Sequence, residues 1–239
     1  MNIAILLSGG VGSRIHSNIP KQYISVSNKL IITYALETLV NCSLIDWVYI
    51  VADSEWKNRI LDNAAENHIP LGKVVEFVEP GQNRQESVWN GLQTICMRNK
   101  GILEADSIQE ESIVLIHDAA RPLLTVEQIE ACFEALKNYD GVMPVLPMKD
   151  TVYLSEDGLE VSKLLERQKI FAGQSPELFR FEKYYLANQK LLPEKIKDIN
   201  GSTEPAILAD MRIAMVPGDE NNYKITTDTD LKRFIQSRI

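Results

Sequence analysis

The densest group of chemically useful residues lies near the start of the chain. Ser8-Gly9-Gly10-Val11-Gly12-Ser13-Arg14 follows a short apolar run, and Lys21 comes soon after within Pro20-Lys21-Gln22-Tyr23. Glycines after a buried strand let backbone N–H groups approach phosphate oxygens. A guanidinium and an ammonium on the same loop neutralise a polyphosphate. The same residues also read as a plain glycine-rich turn with two solvated cations. Two familiar phosphate loops are excluded. The dinucleotide fingerprint Gly-x-Gly-x-x-Gly fails, because counting from Gly10 puts Ile15 where the third glycine belongs. The Gly-Lys-Ser/Thr ending of a Walker A loop is absent. A second group is His117-Asp118-Ala119-Ala120-Arg121-Pro122. Asp118 offers a hard oxygen ligand for a Mg²⁺ ion shared with phosphates, or caps a helix or turn. Arg121 offers a bidentate grip on a phosphate, or pairs with Asp118. His117 reads as a structural histidine satisfied by buried hydrogen bonds.

Such residues need a scaffold that brings them to one edge. Short apolar runs at 3–7, 47–51, 73–78, 112–116 and 141–145 read as strands. They alternate with helical spacing at 30–40, 55–67, 85–97 and 125–138, the last with Thr125 and Gln128 placed for a capping box. The alternation predicts the α/β class, with a three-layer, Rossmann-like, mostly parallel sheet. Asp118 then falls just past a strand, at the carboxyl edge where open α/β sheets bind ligands. After Pro147 the alternation breaks. Residues 148–171 read as a projecting β-hairpin arm with a Ser155-Glu156-Asp157-Gly158 turn. A helix at 180–190, a strand at 211–216 and a helix at 229–238 follow. No linker or repeat divides the chain, so residues 1–239 read as one domain with an arm at about 148–171.

Composition narrows the function classes. The chain has 239 residues, 25 Lys plus Arg against 33 Asp plus Glu, and a net charge of −8. That balance argues against a protein that coats nucleic acid, which recruits stripes of Lys and Arg. Cys42, Cys96 and Cys132 form no CxxC pair, so neither a disulfide framework nor a zinc site is expected. The apolar opening is too short for a signal peptide or a membrane span. The expectation is a soluble, cytoplasmic protein with no membrane partner.

Six motifs in order resemble the cytidylyltransferases that make CDP-methylerythritol or CDP-ribitol, within the broader sugar-nucleotide pyrophosphorylases. They are Gly9-Gly10-Val11-Gly12-Ser13-Arg14 with Pro20-Lys21-Gln22-Tyr23; Gly81-Gln82-Asn83-Arg84-Gln85-Glu86-Ser87-Val88; Ile116-His117-Asp118-Ala119-Ala120-Arg121-Pro122; Pro147-Met148-Lys149-Asp150-Thr151; Arg167 with Gln174-Ser175-Pro176; and Asn222-Tyr223-Lys224-Ile225-Thr226-Thr227. The resemblance implies the nucleotide-diphospho-sugar transferase fold and transfer of CMP from CTP to a phosphorylated sugar alcohol, with Mg²⁺. It implies catalytic roles for Arg14, Lys21 and Lys224. It implies a CTP site of Leu7, Ser8, Gly9, Gly10, Gly12, Gly81, Gln82, Ser87 and Ala119. Arg121, Thr151, Arg167 and Ser175 would hold the alcohol phosphate, and Asp118 the metal. It also implies a homodimer in which each arm lends residues to the other subunit's site. Val152, Tyr153, Leu154, Leu164 and Leu165 on the arm read equally well as ordinary hairpin contacts.

Three positions depart from the family pattern. Asn221 stands where an acidic residue is frequent, which removes a second carboxylate for the metal. Phe171 replaces a Trp or Tyr. Thr203-Glu204-Pro205-Ala206 replaces a Thr-Asp-Glu-Ala-like stretch, and Pro205 is expected to reshape that turn. Ser8-Gly9-Gly10 and Gly173-Gln174 lean towards the ribitol 5-phosphate branch, which serves teichoic acid and capsule. His117-Asp118-Ala119-Ala120 leans towards the methylerythritol 4-phosphate branch, which serves isoprenoids. The alternatives are a glycerol phosphate cytidylyltransferase and a nucleotide-binding regulator without catalysis. An NAD-dependent oxidoreductase is disfavoured by the failed fingerprint and by the lack of an acidic residue at the end of the 47–51 strand.

Overall fold

Asn2–Leu7 (β1) is almost uniformly apolar because both of its faces are covered. Its residues alternate between two cores. Ala4 and Leu6 face one hydrophobic cluster, and Ile3, Ile5 and Leu7 face the other. This is the middle layer of a three-layer α/β fold, seen in a computed structural model that describes residues 1–10, 15–102 and 111–238.

The chain continues through a small hairpin, Ser25–Val26 (β2) and Lys29–Leu30 (β3), into helix Ile31–Asn41 (α1). Trp47–Val51 (β4), helix Lys57–Glu66 (α2), Val74–Val78 (β5), helix Arg84–Ile102 (α3) and Ile113–Asp118 (β6) follow. Helix Val126–Ala135 (α4) starts at a complete capping box formed by Thr125 and Gln128. Gly141–Pro147 (β7) leads to the arm, Tyr153–Leu154 (β8) and Lys163–Leu164 (β9). Phe171–Gly173 (β10), Glu177–Arg180 (β11), helix Phe181–Gln189 (α5), helix Thr203–Leu208 (α6), Ile213–Pro217 (β12) and helix Asp228–Gln236 (α7) complete it. One core layer holds apolar residues of α1, α2 and α4, and the other those of α3 and α5.

The sheet runs β7–β11–β6–β1–β4–β5, and β10 and β12 also pair with β7. The β1–β4, β1–β6, β4–β5 and β7–β12 pairs are parallel. The sheet is therefore mixed, because β10 and β11 run antiparallel to β7, and β11 antiparallel to β6. The register aligns the strand ends. Leu7 is level with Asp118 and with Val51, and Val51 with Val78. The segments after these four residues thus leave from one edge. Because β11 runs the other way, its first residue, Glu177, arrives at that edge too, paired with Ile116. Between Gly173↔Val145 and Leu178↔Val142 the antiparallel strand holds two more residues than β7; the Gln174 N–H still donates to Pro144 O at 2.8 Å, and the chain bulges just after it, at Ser175 and Pro176.

One expectation needs correction: Asp118 is the last residue of β6 rather than a residue just past it. Pro205 occupies a position that a helix tolerates. It lies in the first turn of α6, where a missing N–H leaves no intrahelical bond unmade.

Candidate functional site

The glycine loop is fastened from below. The Ser8 backbone N–H and its hydroxyl both donate to Val51 O at 2.8 Å. Gln22 Nε2 donates to the carbonyls of Ser8 and, at 2.8 Å, of Gly10. Tyr23 donates its hydroxyl to Ser8 O at 3.0 Å. Tyr23 is buried and stacks on Trp56, with ring centroids 4.2 Å apart. Burial pushes its phenol up to about 12, so it remains a donor. The loop carbonyls are thus tied down by a 3₁₀ turn over Lys21–Tyr23, which buries Gln22 and Tyr23 and leaves Lys21 on the cleft wall. Gly9 is required by space. A Cβ there would lie 2.3 Å from Pro80 Cβ.

The opposing wall is the start of α3. Asn83 caps it by accepting the Glu86 N–H at 2.8 Å. Ser87 Oγ accepts the Gly81 N–H at 3.0 Å and donates to Asn83 O at 2.9 Å. A Cβ on Gly81 would lie 2.3 Å from Glu86 Cβ. Between the walls is a cavity of about 370 Å³, closed at one end by Asp118, Ala120, Lys224 and Thr226. Leu7, Ser8, Gly9, Gly10, Lys21, Gly81, Gln82 and Ser87, all expected from the sequence, line it. Ala119 does not. Its side chain is in the core and its N–H donates to Leu7 O at 2.9 Å, and Ala120 takes the place on the wall. Arg14 and Gly12 lie outside the described residues.

Asp118 is the charge centre. Lys224 Nζ is 2.9 Å from its Oδ2, Arg84 Nε 3.1 Å from its Oδ1, and Arg121 Nε 3.9 Å from its Oδ2. Burial alone would raise the carboxyl pKa, but Arg84, Lys224 and Arg121 outweigh it and hold Asp118 well below the usual carboxylate range. Lys224 is placed by its neighbours. Asn222 is buried, and the Ile225 N–H donates to Ala120 O at 2.8 Å. Arg121 donates through Nη1 to Asn222 O at 2.7 Å. A second cavity of about 290 Å³ lies beyond, lined by Arg121, Ser175, Glu177 and residues 200–203. It shares Arg84, Asp118 and Lys224 with the first. No group of three or more potential metal ligands occurs among the described residues. Among those residues, Asp118 is the one carboxylate on the first cavity.

His117 is wholly buried, and its two ring nitrogens are spoken for. Nε2 lies 3.0 Å from Arg121 O, which can only accept, so Nε2 carries the proton. Burial lowers the ring pKa to about 4, which keeps it neutral. Nδ1 is then an acceptor, and Ser175 Oγ at 3.1 Å must donate to it. Ser175 in turn accepts the Asp118 N–H at 3.2 Å. Ser175 therefore lies on the second cavity as expected, but its proton is committed to His117. Its oxygen also receives the Asp118 backbone N–H, so Ser175 links the wall of the second cavity to the end of β6. Thr151 and Arg167 are exposed at the arm's base and line neither cavity, with Arg167 Nη1 donating to Lys149 O at 2.8 Å. Tyr153 and Leu164 stand opposite each other in the hairpin, and Tyr153, Leu154 and Leu164 remain exposed, at 58%, 42% and 60%.

The sequence left Arg84, Glu177, Gln22 and Tyr23 without roles. Arg84 carries a signal in retrospect. It is the first residue of α3, where a cation opposes the helix dipole, so its presence asks for an anion nearby.

A family model described as 2-C-methyl-D-erythritol 4-phosphate cytidylyltransferase, IspD, matches residues 2–235. A 2-C-methyl-D-erythritol 4-phosphate cytidylyltransferase of Lachnospira eligens is 30% identical over 236 residues, covering 97% of this chain and 96% of the relative. A ribitol-5-phosphate cytidylyltransferase of Streptococcus agalactiae is 29% identical over 236 residues, covering 98% and 93%. In fold, the chain is similar to the 4-diphosphocytidyl-2C-methyl-D-erythritol synthase of Anaerococcus prevotii, with a TM-score of 0.79, 24% identity and coverage of 99% and 94%.

Proposed function

Since the chain belongs to the 2-C-methyl-D-erythritol 4-phosphate cytidylyltransferase (IspD) family, we propose that it transfers CMP from CTP to a phosphorylated sugar alcohol, giving a CDP-alcohol and pyrophosphate. The observation that carries this reading is the pair of cavities that meet at Arg84, Asp118 and Lys224. The first has the glycine walls that a nucleoside triphosphate needs, and the second takes a smaller phosphorylated molecule. The phosphate oxygen of the alcohol attacks the α-phosphorus. A P–O bond forms, and the bond to the β-phosphate bridging oxygen breaks, with its electron pair leaving on pyrophosphate. The attacking oxygen is already anionic, so the reaction needs no strong base. It needs positive charge and alignment, and Lys21, Lys224, Arg121 and, from the sequence, Arg14 supply the charge.

A single carboxylate, Asp118, facing the first cavity fits a Mg²⁺ ion held mainly by phosphate oxygens and water, and does not fit a metal caged by protein. Bound there, the ion would neutralise triphosphate charge. The apolar arm supports the homodimer reading. Its side chains have no core in their own chain, and a two-fold pairing covers them. Thr151 and Arg167, outside their own chain's cavities, are then residues for the partner's second cavity.

The two kinds of relative match almost equally, so the alcohol is settled by assay. Pyrophosphate release from CTP should be stimulated by 2-C-methyl-D-erythritol 4-phosphate or by ribitol 5-phosphate, one well above the other in kcat/KM, and more than by glycerol phosphate. Equal or absent stimulation by all three would refute the proposed substrate class.

A further inference from the structure

Arg84 is the cation that the reaction scheme above leaves without work, and its guanidinium touches three side chains at once. Its Nε and Nη2 each lie 3.1 Å from Asp118 Oδ1. Nη2 lies 3.3 Å from Glu177 Oε2, and Nη1 donates to Ser202 Oγ. Glu177 is held from its other oxygen by the Thr203 hydroxyl at 2.8 Å. Ser202 is held through its carbonyl by the Tyr184 hydroxyl at 2.7 Å. One guanidinium thus joins four segments that are far apart in sequence: the start of α3, the end of β6, the start of β11 and the turn before α6. Glu177 and residues 201–203 line the second cavity alone, whereas Asn83 and Ser87, which flank Arg84 in sequence, line the first alone.

We infer that Arg84 is a positioning residue for the transfer, fixing the Asp118 carboxylate on the boundary of the two cavities and tying the wall of the second cavity to the nucleotide loop. This rests on the transfer reading given above. The planar fork is what the role needs. An ammonium reaches one or two of these oxygens, and a guanidinium spans carboxylate, carboxylate and hydroxyl at fixed angles. Loss of such positioning, on the scale of an ångström, costs on the order of 10²-fold in rate. The loss should fall on turnover and on the second substrate, because the contacts of Arg84 lead away from the nucleotide loop.

The test is steady-state kinetics of Arg84→Gln and Arg84→Lys against wild type, with urea midpoints for Arg84→Gln, Glu177→Gln and the double variant. Arg84→Gln is expected to lower kcat by roughly 10- to 100-fold and to raise the KM for the alcohol phosphate at least fivefold, with the KM for CTP within about threefold. Arg84→Lys should regain part of kcat, because a charge returns beside Asp118. Its alcohol KM should stay raised, because the reach to Glu177 and Ser202 does not return. In urea, the two single shifts should sum to more than the shift of the double variant. A lower midpoint with unchanged kinetics would overturn the inference by making Arg84 merely structural. A rise in the KM for CTP alone would also overturn it. If wild type transfers to none of the alcohols, the reading under Proposed function fails, and additive urea midpoints would then overturn the Arg84 network on its own terms.

Discussion

The two adjacent glycines of the first loop make a differential prediction. Neither lies among the left-handed backbone positions, so space and not conformation separates them. A Cβ on Gly9 would fall 2.3 Å from Pro80 Cβ and 2.9 Å from Pro80 Cγ, whereas a Cβ on Gly10 meets nothing within 4 Å among the described residues. Carbon atoms rest at about 3.5–4.0 Å, so Gly9→Ala must part the two walls of the cleft by more than about 1 Å. Pro80 cannot yield by rotating a side chain. Overpacking of this kind costs about 1–3 kcal/mol, which lowers Tm by roughly 2–4 °C per kcal/mol in a chain of this size. Displacing a binding wall by about 1 Å should lower kcat/KM for CTP by on the order of 10²-fold. Gly10→Ala should keep the wild-type Tm. Gly10 lines the cavity, so an added methyl is expected to raise the KM for CTP with little change in kcat. The assays are differential scanning calorimetry and pyrophosphate release with varied CTP. A Gly9→Ala chain with wild-type Tm and kinetics would refute the reasoning, as would a Gly10→Ala chain that loses stability.

Lys21→Ala, and Arg14→Ala on the sequence reading, should each lower turnover by roughly two to four orders of magnitude, as losing a transition-state charge contact does; near wild-type turnover would remove the assigned role. Stability should fall with acid because of His117. Its folded pKa of about 4 lies below the ordinary 6.5, so the unfolded chain binds the extra proton between them. Its share of stability is complete above pH 6.5 and is lost as pH falls towards 4, by about 2 kcal/mol between pH 7 and 5. Asp118, whose pKa is depressed, titrates below that window. Urea midpoints at the two pH values should differ more in wild type than in His117→Asn, and equal differences would show that His117 is not responsible. For the arm, mixing Arg14→Ala and Arg167→Ala chains should restore activity if the two residues come from opposite subunits. Failure in a sample shown to exchange subunits would place each site within one chain.

How much of this was legible in the sequence depended on what each residue is held by. The glycine loop announced itself because close backbone approach leaves glycine as the residue that fits, as Gly9 against Pro80 illustrates. The central parallel strands β1, β4 and β6 were visible as apolar runs buried on both faces. The antiparallel β11 was not, since Glu177–Arg180 is four residues long, follows Ser175-Pro176, and has a buried glutamate as its first member. Missing it hid Glu177, and with it the partner that explains Arg84. Ala119 and Ala120 differ by one residue in phase, and the backbone bonds that go with it, Ala119 N–H to Leu7 O and Ile225 N–H to Ala120 O, join segments far apart in sequence. The proton of Ser175 was equally hidden, because its direction depends on the His117 tautomer, which depends in turn on the Arg121 carbonyl.

The central claim is that the α-phosphorus of CTP is passed to a phosphorylated alcohol across the boundary at Arg84, Asp118 and Lys224. The most direct measurement traces that atom. CTP labelled at the α-phosphate is incubated with the protein, Mg²⁺ and the preferred alcohol phosphate, and the products are separated. The label is expected in a CDP-alcohol, one equivalent for each pyrophosphate released, appearing roughly two to four orders of magnitude more slowly with Lys21→Ala. Label that stays in CTP, or that appears as CMP without an alcohol adduct, would contradict the account.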